Sequence, residues 1–242
     1  MADRTRVHRL ADLTWTDAAD WFRRDPRLLM PVASLVQHGP HLPLNTDQLV
    51  TSAVAEGIAV RHEVLVAPAL PFGAASDVDR TYAGTASLAH KTLHRVLNDL
   101  VGDWAAHGVR DLVLLTSNGF APHYRALVSV MAGDMRIRAV DTNVVDTSPV
   151  LGRPSVPERA GEVETSLLLY LAPSAVRTER IEAAGASAGP GDGRIDGTEP
   201  VPLPGSSGVI GRPAAATAEK GKRVYEYLVR YIGDRLFGEP GG

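Results

Sequence analysis

Short apolar runs alternate along this chain with longer segments of helical spacing. Three of the runs break off into polar stretches bearing glycine or proline. LLMPVASLV (28–36) leads into QHGPHLPLNTD, EVLVAPALPFG (63–73) into AASDVDRTYAG, and VRDLVLLTSNG (109–119) into FAPH. Between them, TDQLVTSAVAEGIAVRH (46–62), which Thr46 or Asp47 is placed to cap, and SLAHKTLHRVLNDLVGDWAAHG (87–108) read as helices. In the second, Leu88, Leu93, Val96, Leu97, Leu100, Val101 and Trp104 share one face, and Gly108 supplies a stop. APHYRALVSVMAGD (121–134) continues as helix and MRIRAVDTNVV (135–145) as strand, and the segments 161–173 and 215–237 read as helices. Such alternation predicts an α/β fold with a parallel sheet covered on both faces. Ligands then sit beyond the carboxyl ends of the strands, so the polar stretches 37–47, 73–85 and 117–123 should meet on one rim.

The 242 residues, 44% hydrophobic, suffice for one domain over 1–242, with an irregular glycine- and proline-rich excursion at 183–208. A net charge of −3 without a basic stripe argues against nucleic acid or an anionic membrane as partner. The absence of cysteine removes disulfides, thiolate metal sites and cysteine nucleophiles. The N-terminus lacks an apolar h-region, and no run of about 18 apolar residues exists, so a cytoplasmic protein is expected. GxxxxGK[ST], GxGxxG and GxSxG are all missing, which speaks against a phosphate-binding loop and a serine-hydrolase elbow.

Four constellations carry chemistry. His38, His41 and Asp47 combine imidazole and carboxylate as zinc, manganese or iron prefer; the plainer reading has histidines bonded to backbone and Asp47 capping a helix. In TSNGFAPHYRAL (116–127), Asn118 and Gly119 shape a bend and His123 lies near a helix start, a pattern a purely structural turn also explains. Glu162 and Glu164 diverge by about 200° on a helix, so at most one enters a site. An acidic pair favoured by the helix dipole fits equally well. Ser76, Asp77 and Asp79 in GAASDVDRTYAGTASL (73–88) are placed to line a pocket.

Taken together these motifs resemble the creatininase (creatinine amidohydrolase) family. PVASLVQHGPHLPLNTD resembles its PxGSxEQHGPHLPLxTD, FGAASDVDRTYAGTASL its GxSxEHxxFPGTxSL, and LLTSNGFAPHYRAL its strand followed by NGHGGNxxAL. RAGEVETSLLLYLAP resembles HAGExETSxMLxLxP, and SGVIGRPAAATAEKGKRVYEYLV the closing GVxGxPxxAxxEKGxxxxE. The resemblance implies a three-layer α/β/α sandwich with a mainly parallel sheet, a homo-oligomer (hexamer or dimer), and a two-metal site of zinc, manganese or iron. It also implies hydrolysis of cyclic amides or related C–N bonds in small molecules.

The departures are chemical. Val36 stands where the family has glutamate and Phe120 where it has histidine, and in the family pattern both belong to one of the two ions. Arg159 replaces the histidine of HAGE, and Val78 and Asp79 replace the EH pair, while Ser76 is retained. At most one ion is then expected, on His38, Asp47 and Glu164, with His123 as a second candidate for the third ligand and His41 as loop support. The resulting expectation is a divergent enzyme acting on a C–N or amide-type bond of a small polar metabolite, by hydrolysis or the reverse cyclisation. His38, Asp47, His123, Glu162 and Glu164 are its candidate catalytic groups. Val36, Ser76, Asp79, Asn118, Phe120 and Arg159 are its candidate substrate contacts. A metal-free acid–base version and a non-catalytic regulatory or ligand-binding member are the alternatives.

Overall fold

The computed structural model describes residues 7–185, 193–196 and 199–238. Strands β1 (Arg27–Pro31), β2 (Leu65–Val66), β3 (Asp111–Thr116) and β4 (Arg136–Asp141) form one parallel sheet in the order β2-β1-β3-β4. The helices are α1 (Trp15–Arg24), α2 (Thr46–His62), α3 (His90–Ala106), α4 (Ala121–Val128), α5 (Ser148–Leu151), α6 (Glu162–Leu171), α7 (Ile181–Gly185) and α8 (Ala218–Phe237).

Successive side chains of a strand point to opposite faces, and here each face has its own core. Leu29, Val66, Val113 and Leu115 pack with Val54 and Ile58 of α2, Leu168 of α6 and Val224 and Leu228 of α8. Leu28, Met30, Leu65, Leu112 and Leu114 pack with Leu93 and Leu97 of α3 and Leu127 of α4. Both faces are dry, which is why the strands read as continuous apolar runs. The result is the expected α/β/α sandwich.

The winding fixes where a site can form. α2 carries the chain from β1 out to β2 over one face, and α3 brings it back past β1 to β3 over the other. That is what a constant crossover hand requires. The direction of winding therefore reverses between β1 and β3, paired from Arg27↔Asp111 to Pro31↔Leu115, and a crevice opens beyond their carboxyl ends.

Several elements differ from the sequence pattern, among them the helix expected over 121–134, which ends at Val128. The strand expected over 63–73 pairs only at Leu65–Val66, with one further bridge between Val32 and Leu70. Pro68 and Pro71 have no N–H to donate to a ladder. Helix α1, capped by Thr14 and Asp17 in a capping box, adds an element outside the alternation. Part of the 183–208 excursion, at 186–192 and 197–198, lies outside the described residues; within it β5 (Gly193–Asp196) and β6 (Glu199–Pro202) pair antiparallel. No helix among the described residues is long and apolar enough to cross a membrane.

Candidate metal centre

Beyond β1 the chain turns back on itself through Val36 N–H donating to Leu44 O at 3.1 Å. Gly39 sits at φ +69°, and a Cβ there would run into Val209, so glycine alone permits the turn that follows His38. The chain then enters α2, with Asp47 in the first turn; Glu164 lies in the first turn of α6. Both carboxylates stand at helix N-termini, where the dipole favours negative charge.

The three side chains converge. His38 Nε2 lies 3.1 Å from Asp47 Oδ1 and 3.4 Å from Glu164 Oε1. Among the described residues, His38, Asp47 and Glu164 form one buried group whose ligand atoms all lie within 4.8 Å of one another. The opposite end of each side chain is tied down. His38 Nδ1 donates to Val36 O at 3.0 Å. Asp47 Oδ2 accepts from Ser34 Oγ, and Glu164 Oε2 from Ala160 N–H. A carbonyl only accepts, so the proton on Nδ1 is fixed and Nε2 faces two acceptors. That leaves two solutions: a second ring proton, or a cation shared by all three atoms.

In the ion-free state burial works against a charged ring, but Asp47 and Glu164 outweigh it and hold His38 well above its ordinary range. Burial likewise opposes the Asp47 carboxylate, yet His38 and the Ser34 hydroxyl keep it below the usual value. With neutral imidazole the cluster carries two buried negative charges, which a divalent cation matches. Ligand atoms placed tetrahedrally about 2.0–2.2 Å from zinc stand roughly 3.3–3.6 Å apart. The 3.4 Å separation falls in that range and the 3.1 Å one lies just below it. Held outer atoms are also what ligands need to keep their orientation.

The other expected site residues stand elsewhere. His123 Nδ1 accepts from Ala74 N–H at 3.2 Å and its Nε2 donates to Thr116 Oγ1 at 3.1 Å. Burial lowers it to about 4, so it is a neutral packing group under Gly73. Glu162 pairs with Lys220 and Arg153, each at 2.6 Å; burial opposes its charge, but the two cations hold its carboxyl below the usual range. Asn118 donates to Ser34 Oγ and Ala74 O and accepts from Phe120 N–H, bracing three rim segments to one another. Val36 is buried, and Phe120 packs against the α3–α4 core. Ser76, Asp79 and Arg159 form a buried network with Gln37. Asp77 is exposed. His41 bonds Thr165 Oγ1 at 2.9 Å and burial lowers it to about 4.

Sequence reasoning passed over Ser34 and Glu158. Ser34 had a signal, as the one polar side chain inside the run LLMPVASLV. Glu158 had none. It is buried, its carboxylate caps α6 by accepting from the N–H groups of Glu162 and Val163, and burial pushes it up to about 7. Glu158 and Glu164 both line a cavity of about 400 Å³. Its walls are chiefly apolar (Val50, Val144, Val145, Val156, Leu167 and Leu228), with Ser117, Thr142 and Asn143 between them. Glu164 is thus where the buried cluster meets open space.

Known proteins share this fold. The family model described as Creatininase, creatinine amidohydrolase, matches residues 11–236. A mycofactocin precursor peptide peptidase of Mycobacterium tuberculosis is 35% identical over 217 residues, 84% of this chain and 82% of the relative. A creatinine amidohydrolase of Pseudomonas putida is 31% identical, over 94% of this chain and 95% of that one. A solved creatininase in its Mn form superposes with TM-score 0.76 at 26% identity, covering 98% of this chain and 100% of the other. A mutant creatininase complexed with creatine gives 0.78 at 25%, covering 96% and 98%. These relatives cleave C–N bonds by name, and with the cluster on the rim they define an amidohydrolase-type enzyme. The chain belongs to the creatininase family.

Proposed function

We propose that this protein is a hydrolase using a single divalent ion, held by His38, Asp47 and Glu164, to cleave an amide bond in a peptide-like substrate with a bulky apolar group beside the scissile bond. The observation that carries the reading is the convergence of Nε2, Oδ1 and Oε1 with every opposite atom already committed. One ion rather than two is supported by the company Asp47 keeps. Its second oxygen is engaged by Ser34, and the positions that would complete a second site carry Val36 and Phe120.

A divalent ion in such a site supplies Lewis-acid pull on a carbonyl oxygen and makes water a stronger acid. The chain's own groups do the rest. Ser34 and Ala160 N–H keep the two carboxylates aimed at His38, and the valine and leucine walls bind substrate and exclude water. A cavity of about 400 Å³ is roomy for a single compact polar ring and suits a larger apolar group. That favours the peptide named for the mycobacterial relative over creatinine, and over the small polar metabolite expected from sequence.

The test is amine release from a panel of short peptides and from creatinine, by protein stripped of metal and reloaded with zinc, manganese or iron. Peptides with large aliphatic or aromatic residues should be cleaved, only by reloaded protein, with creatinine at least about tenfold poorer, a gap of roughly 1.4 kcal/mol in transition-state binding. Equal cleavage by stripped protein, or a preference for creatinine, would overturn the reading.

A further inference from the structure

Two positions where the related motifs carry histidine hold Asp79 and Arg159 in this chain. They stand 80 positions apart in the chain, yet their side chains meet at 3.3 Å, each only 3% exposed. The two departures from the family pattern are therefore one departure, a buried ion pair.

The pair is attached to the cradle on both sides. Arg159 Nη2 donates to Gln37 O at 3.0 Å, the carbonyl that immediately precedes His38. Asp79 Oδ1 accepts from Gln37 Nε2 at 3.0 Å, and its other oxygen from Ser76 Oγ at 2.5 Å. Arg159 is itself fixed by a backbone bridge to Ile210, with bonds of 2.8 and 2.9 Å. The next residue, Ala160, has φ +51°, a left-handed conformation that costs a non-glycine residue of order 1 kcal/mol. In that conformation its N–H reaches the Glu164 carboxylate. Through one guanidinium and its own backbone, Arg159 touches the peptide that carries His38 and the peptide that holds Glu164.

Stability alone does not account for such a pair, because replacing a buried ion pair by packed apolar groups is often neutral or stabilising. Buried ionic groups are best attested where they fix register. Arginine's planar fork, with several donors in set directions, suits that task better than a lysine point charge.

We propose that Arg159 and Asp79 act together as a positioning clamp for the ion cradle, holding the His38 and Glu164 segments at the separation a single ion needs. The proposal rests on the cradle reading above. Arg159 and Asp79 are positioning residues; neither reaches the ion's three ligand atoms.

The experiment is zinc binding by titration calorimetry on the full chain, with thermal unfolding of the ion-free proteins alongside, for wild type, Arg159→Lys, Asp79→Asn and the double variant. Ser76→Ala, which removes only a hydroxyl partner of Asp79, supplies a gentler perturbation should a variant of the pair fail to fold. Arg159→Lys, which keeps the charge but removes the planar fork, and Asp79→Asn should each weaken zinc 10–100-fold, the usual effect of losing an outer-shell partner. Ser76→Ala should weaken it several-fold. The double variant should lose no more than the worse single variant, since the two residues form one unit. Wild type that takes up no zinc would sink the cradle reading and the clamp with it. Wild type binding one equivalent, with variants of unchanged affinity, would sink the clamp alone, whatever their unfolding temperatures do. Losses that simply add would also overturn it.

Discussion

Glu164→Gln isolates the charge that the cradle needs from the shape that the fold needs. The amide keeps an oxygen for Ala160 N–H and nearly the same volume, so packing in the first turn of α6 is preserved. In the ion-free protein the change should cost little. At an effective dielectric near 20, the 3.4 Å contact between His38 and Glu164 is worth about 5 kcal/mol of attraction. The repulsion between Asp47 and Glu164, whose ligand oxygens lie within 4.8 Å, is then at least about 3.5 kcal/mol and disappears in the variant. Relief of desolvating one carboxylate offsets the remainder. Metal binding behaves oppositely, because a dication loses a full negative ligand. Wild type at a free zinc concentration of about 100 times Kd gains roughly 2.7 kcal/mol, or about 5–11 °C in Tm for a chain of this size. If Kd rises about 100-fold, the same zinc gives the variant only about 0.4 kcal/mol, or roughly 1–2 °C. Thermal unfolding with and without zinc, with metal content by mass spectrometry, reads both quantities. A full zinc shift in Glu164→Gln would refute the assignment of the third ligand, and two equivalents in wild type would refute the single-ion site.

Ser34→Ala should weaken zinc 10–100-fold while leaving one equivalent bound, because it frees Asp47 Oδ2 without touching a ligand atom; unchanged affinity in a chelator competition would remove Ser34 from the account. Glu158 supplies a pH dependence. Its carboxyl is raised from 4.5 to about 7 by burial, so the folded state holds the proton more tightly than the unfolded one. The contribution is fully present below pH 4.5 and is lost as pH climbs to 7, amounting to about 3 kcal/mol less stability above that. The carboxyl carbon of Glu158, followed by NMR in ion-free protein, should titrate near neutrality; a midpoint near 4.5 would show that the α6 N–H groups and Arg153 win over burial.

Much of this molecule is local and was readable as such. The continuous apolar runs of β1 and β3, the 3.6 period of α2, α3 and α8, and the glycine and proline stops are encoded within a few residues, so sheet, layers and rim follow from the chain alone. His38 and Asp47 are nine residues apart around a turn, and their meeting was equally legible. Val36 and Phe120, which argue against a second ion, are simply residue identities. What the sequence left open were contacts between distant segments. The period of a helix says that Glu162 and Glu164 point apart but not which one faces the rim. That depended on Lys220 arriving from α8 to take Glu162. His123 reads as a possible ligand until the Gly73 loop and Thr116 enclose both of its nitrogens. Arg159 reads as an anchor for substrate until Asp79, 80 positions earlier, neutralises it in the interior. Backbone preference and hydrophobic spacing act over one or two turns, and those the sequence determines. Which buried charge finds which partner is decided by the packing of loops that follow different strands, because only there are the groups out of water and close enough for one charge to govern another.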